Sequence, residues 1–433
     1  MEVKVTSSTI LTSPISHPSD IPLTIFDRFA TNIHIAVLYA FTPPTSNNAD
    51  IISGLSNTLV HFPTLTGKLT TNSYARPSLT VGGPHGGALL VEATVSSKLE
   101  DHLPLPPSPD FRLLHPEVND AKHLLQVQLN RFQCGGLVIG VTNHHRVADG
   151  QSMSTFFVAW GKMVRGVPVD SLPVYDQSWL KPRDPPLVQF DHWGTDFIPL
   201  SPQPNEFCVT PVYADPSEIT NMLLHFSAEF IIKLKAQTNA SSTVKYTTFQ
   251  TLLGHLWRMV TIARQLDDEE CTMVRVSVNG RPRLQPPVPM EFFGNLVLNA
   301  YPKAKARALI EGGAAMAAGI VREAVRDVGE DYFRSFIDLG EVYGNRDLVP
   351  CYDVDGNVIS PKLEVDSWLG FQFDEVDFGG GGGLCAFLPI NWVPLEGLLI
   401  FIPALSRNGG VDVFVSLLEK HAVRFREISH SLD

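Results

Sequence analysis

Between Met153 and Val164, apolar side chains recur at Phe156, Phe157, Trp160, Met163 and Val164. That three-and-four spacing places one stripe on one face of a helix. Two further stretches carry it behind a capping residue. Ser227 precedes Phe230, Ile231 and Leu234, and Thr247 or Thr248 precedes Leu252, Leu253, Leu256, Val260 and Ala263. A hydroxyl at such a position accepts from the unpaired amides of the first turn. Short apolar or alternating runs predict strands over 33–41, 137–142, 274–278, 363–373 and 397–403. The first residues, Met1-Glu2-Val3-Lys4-Val5-Thr6, alternate as an edge strand does. Strands and helices are interspersed in both halves, which favours an α/β class.

A chain of 433 residues exceeds one ordinary core, so two domains of roughly 200 residues each are expected. The periodicity lapses near 103–109 and, more extensively, from about 167 to 211, where Pro182-Arg183-Asp184-Pro185-Pro186 and Pro199-Leu200-Ser201-Pro202-Gln203-Pro204 fall. The second lapse reads as a crossover, giving an N-terminal domain 1–175, a linker 176–214 and a C-terminal domain 215–433.

Composition narrows the class. Hydrophobic residues make up 44% and charged residues 18%, the balance of a globular protein. No run of about 18 apolar residues predicts a membrane span, and the N-terminus lacks the basic start and apolar block of a signal peptide. Five scattered cysteines, Cys134, Cys208, Cys271, Cys351 and Cys385, form no CxxC pair or framework and suit a reducing, cytoplasmic setting. A net charge of −12 argues against a nucleic-acid partner. It would draw a cationic small molecule by long-range attraction.

The predicted strand over 137–142 runs into Asn143-His144-His145-Arg146-Val147-Ala148-Asp149-Gly150. A neutral imidazole is the commonest general base near neutral pH. Asp149, four residues after His145, can hold the ring, pin the loop by pairing elsewhere, or cap the following helix. A metal held by His144, His145 and Asp149 is a further reading, but no HExxH spacing or second carboxylate cluster accompanies it. No GxSxG elbow, P-loop or GxGxxG fingerprint is present. The base therefore has no evident serine or cysteine to activate, and direct transfer onto a bound substrate is favoured over a covalent intermediate.

Alternation in Leu363-Glu364-Val365-Asp366-Ser367-Trp368-Leu369 puts Glu364, Asp366 and Trp368 on one strand face and Val365 and Leu369 on the other. Two carboxylates beside an indole suit a cation with an apolar body; a solvated face is the plain alternative. Asp377-Phe378 is followed by five glycines, Gly379 to Gly383. The residues after them read as a strand, not the helix start that a phosphate cradle needs, so a flexible loop is expected.

Together these segments resemble the plant BAHD acyl-CoA-dependent acyltransferases, which carry HxxxDG near mid-chain and DFGWG towards the C-terminus. The first motif stands as His145-Arg146-Val147-Ala148-Asp149-Gly150. The second stands as Asp377-Phe378-Gly379-Gly380-Gly381, with Gly380 in place of tryptophan. The likeness covers essentially the whole chain, including Phe62-Pro-Thr-Leu-Thr-Gly67, Gly254-His-Leu-Trp257-Arg258, Asn279-Gly-Arg281-Pro-Arg283 and Phe293-Gly-Asn295. It is closer still to the cereal amine N-hydroxycinnamoyltransferases, through Tyr332-Phe-Arg-Ser-Phe-Ile-Asp338, Glu364-Val-Asp-Ser-Trp368 and Pro394-Leu-Glu-Gly-Leu-Leu-Ile400. The tryptophan-less glycine loop belongs to that group's pattern.

The resemblance implies two similar α/β domains of chloramphenicol-acetyltransferase type with a solvent channel between them. His145 at mid-channel would take a proton from the acceptor as it attacks the thioester of an acyl-CoA. Asp149 becomes structural, with Arg281 its expected partner and Arg283 the alternative; Asp377 and Gly379 are likewise structural. Asp366, Ser367 and Trp368 fall where acceptors bind, and with Glu364 they turn the site towards a cationic amine such as agmatine, tryptamine or a polyamine. His34 and Tyr39 are implied to approach the substrate. Lys233, Lys235, Arg258 and Arg264 are candidates for the CoA phosphates. Acyl-CoA enters as co-substrate, with no permanent cofactor and no metal, and the expected state is a monomer. The competing expectations are an alcohol acceptor and a non-catalytic ligand-binding member of the fold.

Overall fold

The computed structural model describes every residue except 13–14, 16, 72–76, 84–85, 119–120, 194, 199–210, 241–243, 344–348, 351–355, 393, 406–407 and 433. The strands that build its two large sheets are, in chain order, β1 (Val3–Thr12), β2 (His34–Phe41), β3 (Gly87–Val95), β4 (Leu125–Phe132), β5 (Leu137–His144), β6 (Ile219–Phe226), β7 (Cys271–Asn279), β8 (Val297–Ala300), β9 (Leu363–Ser367), β10 (Leu384–Ile390), β11 (Leu398–Pro403) and β12 (Val411–Leu418). The helices are α1 (Ile25–Phe29), α2 (Asn48–His61), α3 (Gly150–Val164), α4 (Ala228–Ala240), α5 (Thr248–Arg264), α6 (Ala306–Asp327), α7 (Glu330–Val342) and α8 (Glu419–Ile428).

The expected caps are in place. Thr247 accepts from the Gln250 amide while the Gln250 side chain accepts from the Thr247 amide. Ser227 Oγ accepts from Phe230 N at 3.2 Å. Each closes a first turn that would otherwise leave amides unpaired.

The first sheet has the order β1-β3-β4-β5-β2-β10, with β1 at its edge as the opening alternation suggests. The second runs β6-β12-β11-β9-β7-β8, and β9 lies parallel to both β7 and β11. Helices α2 and α3 cover the first sheet, and α5, α6, α7 and α8 contribute to the core of the second. Membership does not follow one cut in the sequence. β10, from the C-terminal half, pairs with β2, setting Phe387 opposite Tyr39. Conversely, Phe26 and Phe29 of α1 lie in the second core, where Phe26 meets Phe333 and Phe336.

The sheets also share apolar contacts. Along β11, Leu399 and Phe401 point into the second core, whereas Ile400 and Ile402 point into the first. That is strand alternation used on both faces.

The described part of the crossover is strapped down and does not behave as a loose linker. The Asp338 carboxylate on α7 accepts from Arg183 N at 2.8 Å, Arg183 Nε at 2.6 Å and Leu187 N at 2.9 Å. Three residues earlier on the helix, Ser335 Oγ accepts from Gln189 N and Phe190 N. The run Pro199–Pro204 read from the sequence lies outside the described residues. Among the described cysteines, Cys134, Cys271 and Cys385 are free; Cys208 and Cys351 also lie outside them. No described helix is long and apolar enough to cross a membrane.

Candidate active site

β5 ends at His144, and a single 3-10 turn over His145–Val147 leads to the N-terminus of α3. The two histidines diverge at this corner. His144 packs edge-on against His34 with ring centres 5.0 Å apart. Burial, assisted by the nearby His34, Arg146 and His145, pushes its pKa down to about 3. His145 lines a cavity of about 350 Å³. A metal bridging both histidines does not fit this divergence, and no cluster of ligating side chains occurs among the described residues.

The imidazole of His145 is oriented from an unexpected direction. Its Nδ1 lies 3.2 Å from Asn295 Oδ1. The Asn295 amide nitrogen donates to His145 O at 2.9 Å and to Asp27 Oδ1 at 3.0 Å. Both are acceptors, so the amide oxygen must face the ring. Nδ1 therefore carries the hydrogen, and Nε2 keeps its lone pair. Asp27 is buried, which raises its carboxyl pKa, while hydrogen bonds from Asn295 and Thr24 oppose that rise. Phe293-Gly-Asn295 counts towards the family likeness, but nothing local assigns Asn295 this role; it stands 150 positions from His145 and is brought to it only by the packing of the halves.

Asp149 does two things read as alternatives in the sequence. Its Oδ1 accepts from Ser152 N at 2.9 Å, capping α3. Both oxygens also accept from the Arg281 guanidinium, Nη1 to Oδ2 at 2.8 Å and Nη2 to Oδ1 at 3.1 Å. Leu296 N completes the set at 3.1 Å. Burial alone would raise this carboxyl; the Arg281 charge and the hydrogen bonds outweigh it and hold the pKa below the usual range. Arg281 further donates to Phe292 O and Ser152 Oγ, so the pair ties the start of α3 to the 281–296 segment. Arg283 is not in this pair. The motif's glycine also has a physical reason, because a Cβ on Gly150 would meet the Phe371 ring at 2.5 Å.

The cavity walls are largely aromatic, with Tyr39, Phe157, Trp368, Phe371, Phe373 and Phe387 among the lining residues. Tyr39 approaches Phe157 at 4.5 Å and Phe387 at 4.8 Å between centres, and Trp368 stacks on Phe371 at 5.9 Å. Burial raises the Tyr39 hydroxyl well above its ordinary range, keeping it neutral. Ser367 lines the same space.

Several expectations are corrected here. His34 does not line the cavity. It has the opposite strand parity to Tyr39, and its Nε2 lies 2.9 Å from His123 O on the other face of β2. The strand expected over 363–373 ends at Ser367, where a turn closes with Phe371 N donating to Trp368 O. Glu364 shares its face with Asp366 but is ion-paired with Arg275, its register partner on β7, and is not among the cavity's lining residues. Asp366 does line it. Ser277 Oγ donates to Asp366 Oδ1 at 2.6 Å, and no described lysine or arginine forms an ion pair with it.

The glycine run is packed and not a loose loop. Gly382 N donates to Pro44 O at 2.7 Å, and a Cβ on Gly380, at φ 86°, would fall 2.5 Å from Thr45 Cα. Asp377 pairs with Arg165 at 2.5 Å, and one of its oxygens accepts from Gly379 N at 2.7 Å. Arg264 is withdrawn as a phosphate ligand, because its guanidinium is buried against Glu396. Arg258 Nε donates to Ile310 O, and Lys233 and Lys235 stay accessible on α4.

One further constellation, not read from the sequence, lies elsewhere. His192 stands 2.7 Å from Asp196 and 3.0 Å from Ser335 Oγ, the connectivity of a nucleophilic triad. Ser335 is fully buried and already accepts two amides. The group fastens the crossover to α7.

Comparison with known proteins agrees with this architecture. The model of the Transferase family matches residues 1–432. Tryptamine hydroxycinnamoyltransferase 2 of Oryza sativa subsp. japonica is 40% identical over 417 residues, 95% of this chain and 93% of that protein. Agmatine coumaroyltransferase-1 of Hordeum vulgare is 37% identical over 418 residues, 95% of this chain and 94% of that protein. Among solved structures, vinorine synthase superposes with a TM-score of 0.70 at 21% identity, covering 98% of this chain and 96% of its own. By its sequence from end to end and by its fold, this chain belongs to the Transferase family, the BAHD acyltransferases whose motifs it carries.

Proposed function

We propose that this enzyme transfers a hydroxycinnamoyl or related aromatic acyl group from its CoA thioester to a primary amine, forming an amide. The observation that carries this reading is the pairing, in one aromatic-walled cavity, of an oriented imidazole with a carboxylate that forms no ion pair with any described lysine or arginine. The flat walls suit an aromatic acyl group. Asp366 suits a cation, which an amine supplies at neutral pH and an alcohol does not. Relatives named for tryptamine, agmatine and putrescine support the amine class.

His145 Nε2 acts as general base. The amine nitrogen attacks the thioester carbonyl, whose π electrons move to oxygen. Nε2 takes the proton that nitrogen sheds. The tetrahedral intermediate re-forms the carbonyl and breaks the C–S bond, and the imidazolium returns its proton to the departing thiolate. Asp149 acts one layer out, by holding the turn. A cytoplasmic, monomeric enzyme is part of the same proposal, to be checked by gel-filtration mass and by the location of a tagged chain.

The test is a panel of amines and alcohols with one hydroxycinnamoyl-CoA, read by product mass, on the wild-type enzyme and His145→Ala. Amide products that vanish in the variant are expected. Undiminished turnover by His145→Ala, or ester products alone, would overturn the proposal.

A further inference from the structure

An alkylamine with a pKa of about 10.4 is free base in only about one molecule in 2,500 at pH 7. Forming an amide from its ammonium removes two protons from one nitrogen. One must leave before attack, to expose the lone pair, and the other after it. His145 cannot take both. Its Nδ1 hydrogen is committed to Asn295, so Nε2 is its single vacant position. An imidazole that had taken the first proton would stand as an imidazolium during the attack.

Resting on the amine-acylation reading above, we propose that Asp366 takes the first proton from the bound ammonium and His145 takes the second. Asp366 faces the same cavity as His145, and Ser277 Oγ holds one of its oxygens. The charged and titratable groups around it are accounted for. Arg275 on β7 is paired with Glu364, and its charge also acts on Asp366, favouring the carboxylate. Asp149 is spent on Arg281. Tyr39 is neutral across the cavity. On β11 the register partner is Ile400, which carries no charge. Desolvation first, then the Glu364 charge, raises the affinity of Asp366 for a proton, against the opposing Ser277 hydrogen bond and the Arg275 and His145 charges. The same desolvation lowers that of an ammonium drawn in beside it, so the two approach each other. The protons balance. Asp366 receives one from the ammonium and releases it to solvent after turnover, while His145 passes the other to the thiolate as CoA leaves.

The experiment uses two acceptors of one shape, phenethylamine and its β,β-difluoro analogue, whose ammonium is far more acidic. Neither bears a distal charge, so recognition of a second cation does not enter. For Asp366→Asn at pH 7, kcat/KM with phenethylamine is expected to fall about 10²- to 10³-fold, towards dependence on the free-base fraction. With the difluoro analogue the fall should stay under about tenfold, on the same basis. The variant's rate with phenethylamine should then rise about tenfold per pH unit above pH 7, where the wild type is flat. Equal losses with both amines, or a variant profile as flat as the wild type's, would overturn the assignment.

Ser277→Ala provides a second reading should Asp366→Asn not fold. It removes a hydrogen bond that favours the carboxylate, so the acid limb of the wild-type profile should move to higher pH; an unmoved limb counts against the role. If the wild type acylates neither amine, the amine-acylation reading itself fails. If it acylates both and the variants treat them alike, only this assignment does.

Discussion

Replacing Asp149 by asparagine separates a brace from a catalytic partner. The carboxylate accepts four donors: Ser152 N and Arg281 Nη2 on one oxygen, and Arg281 Nη1 and Leu296 N on the other. Asparagine keeps the first oxygen and sets an amide NH2 against the second pair of donors. Arg281, whose side chain is 0% exposed, then keeps its charge without a counter-ion. Breaking a buried pair from one side costs about 3–5 kcal/mol. With a urea dependence of about 3 kcal/mol per molar, the unfolding midpoint should fall by roughly 1–1.7 M. The assay is urea denaturation followed by tryptophan fluorescence, with kcat measured on the fraction still folded. Asp149→Leu combined with Arg281→Met should be more stable than either single variant, because no unpaired charge remains. Acid should act in the same direction as the substitution. The folded-state pKa of Asp149 is depressed, so its contribution is full above the unfolded value of about 3.9 and is lost as pH falls through the folded one. If Asp149→Asn leaves the urea midpoint unchanged yet abolishes turnover, the brace reading is wrong and Asp149 works on the imidazole directly.

Three further outcomes follow from the same contacts. Asn295→Ala frees the His145 tautomer and should lower kcat about 10- to 100-fold while KM for acyl-CoA holds; steady-state kinetics decides it. Gly380→Trp, which restores the family's usual residue, should destabilise by about 2–4 kcal/mol, because the position has positive φ and abuts the Thr45 backbone; a thermal melt at or above wild type would refute this. Asp338→Ala leaves three crossover donors without their acceptor and should cost about 2–4 kcal/mol. Trypsin should then cut after Arg183 faster than in the wild type.

Local pattern carried much of the architecture. The spacing from Met153 to Val164 and the hydroxyls at Ser227 and Thr247 are short-range signals, and each became the helix it announced. Alternation likewise placed Asp366 and Val365 on opposite faces of β9. Strand parity was also available for His34 and Tyr39, which stand five positions apart on one strand and so cannot share a face. What the sequence withheld depends on pairing between distant segments. Glu364 is ion-paired because Arg275 is its register partner, a fact that exists only once β7 and β9 lie side by side. Asn295 reaches His145 only after the halves pack. The glycine run read as slack because the surface it meets, Thr42 to Ser46, lies more than three hundred residues earlier in the chain.

Strand β10 has a consequence for how the protein is made. β2, which carries Tyr39, lies between β5 and a strand that begins at Leu384. At about 5–20 residues per second, a ribosome takes roughly 20–70 seconds to travel from one to the other. Throughout that interval the apolar edge of β2 has its partner on one side only, open to any passing strand. Synthesis of this enzyme thus creates a window in which chaperone cover matters most. A nonsense mutation upstream of residue 384 would leave the nascent first sheet with that edge permanently unsealed.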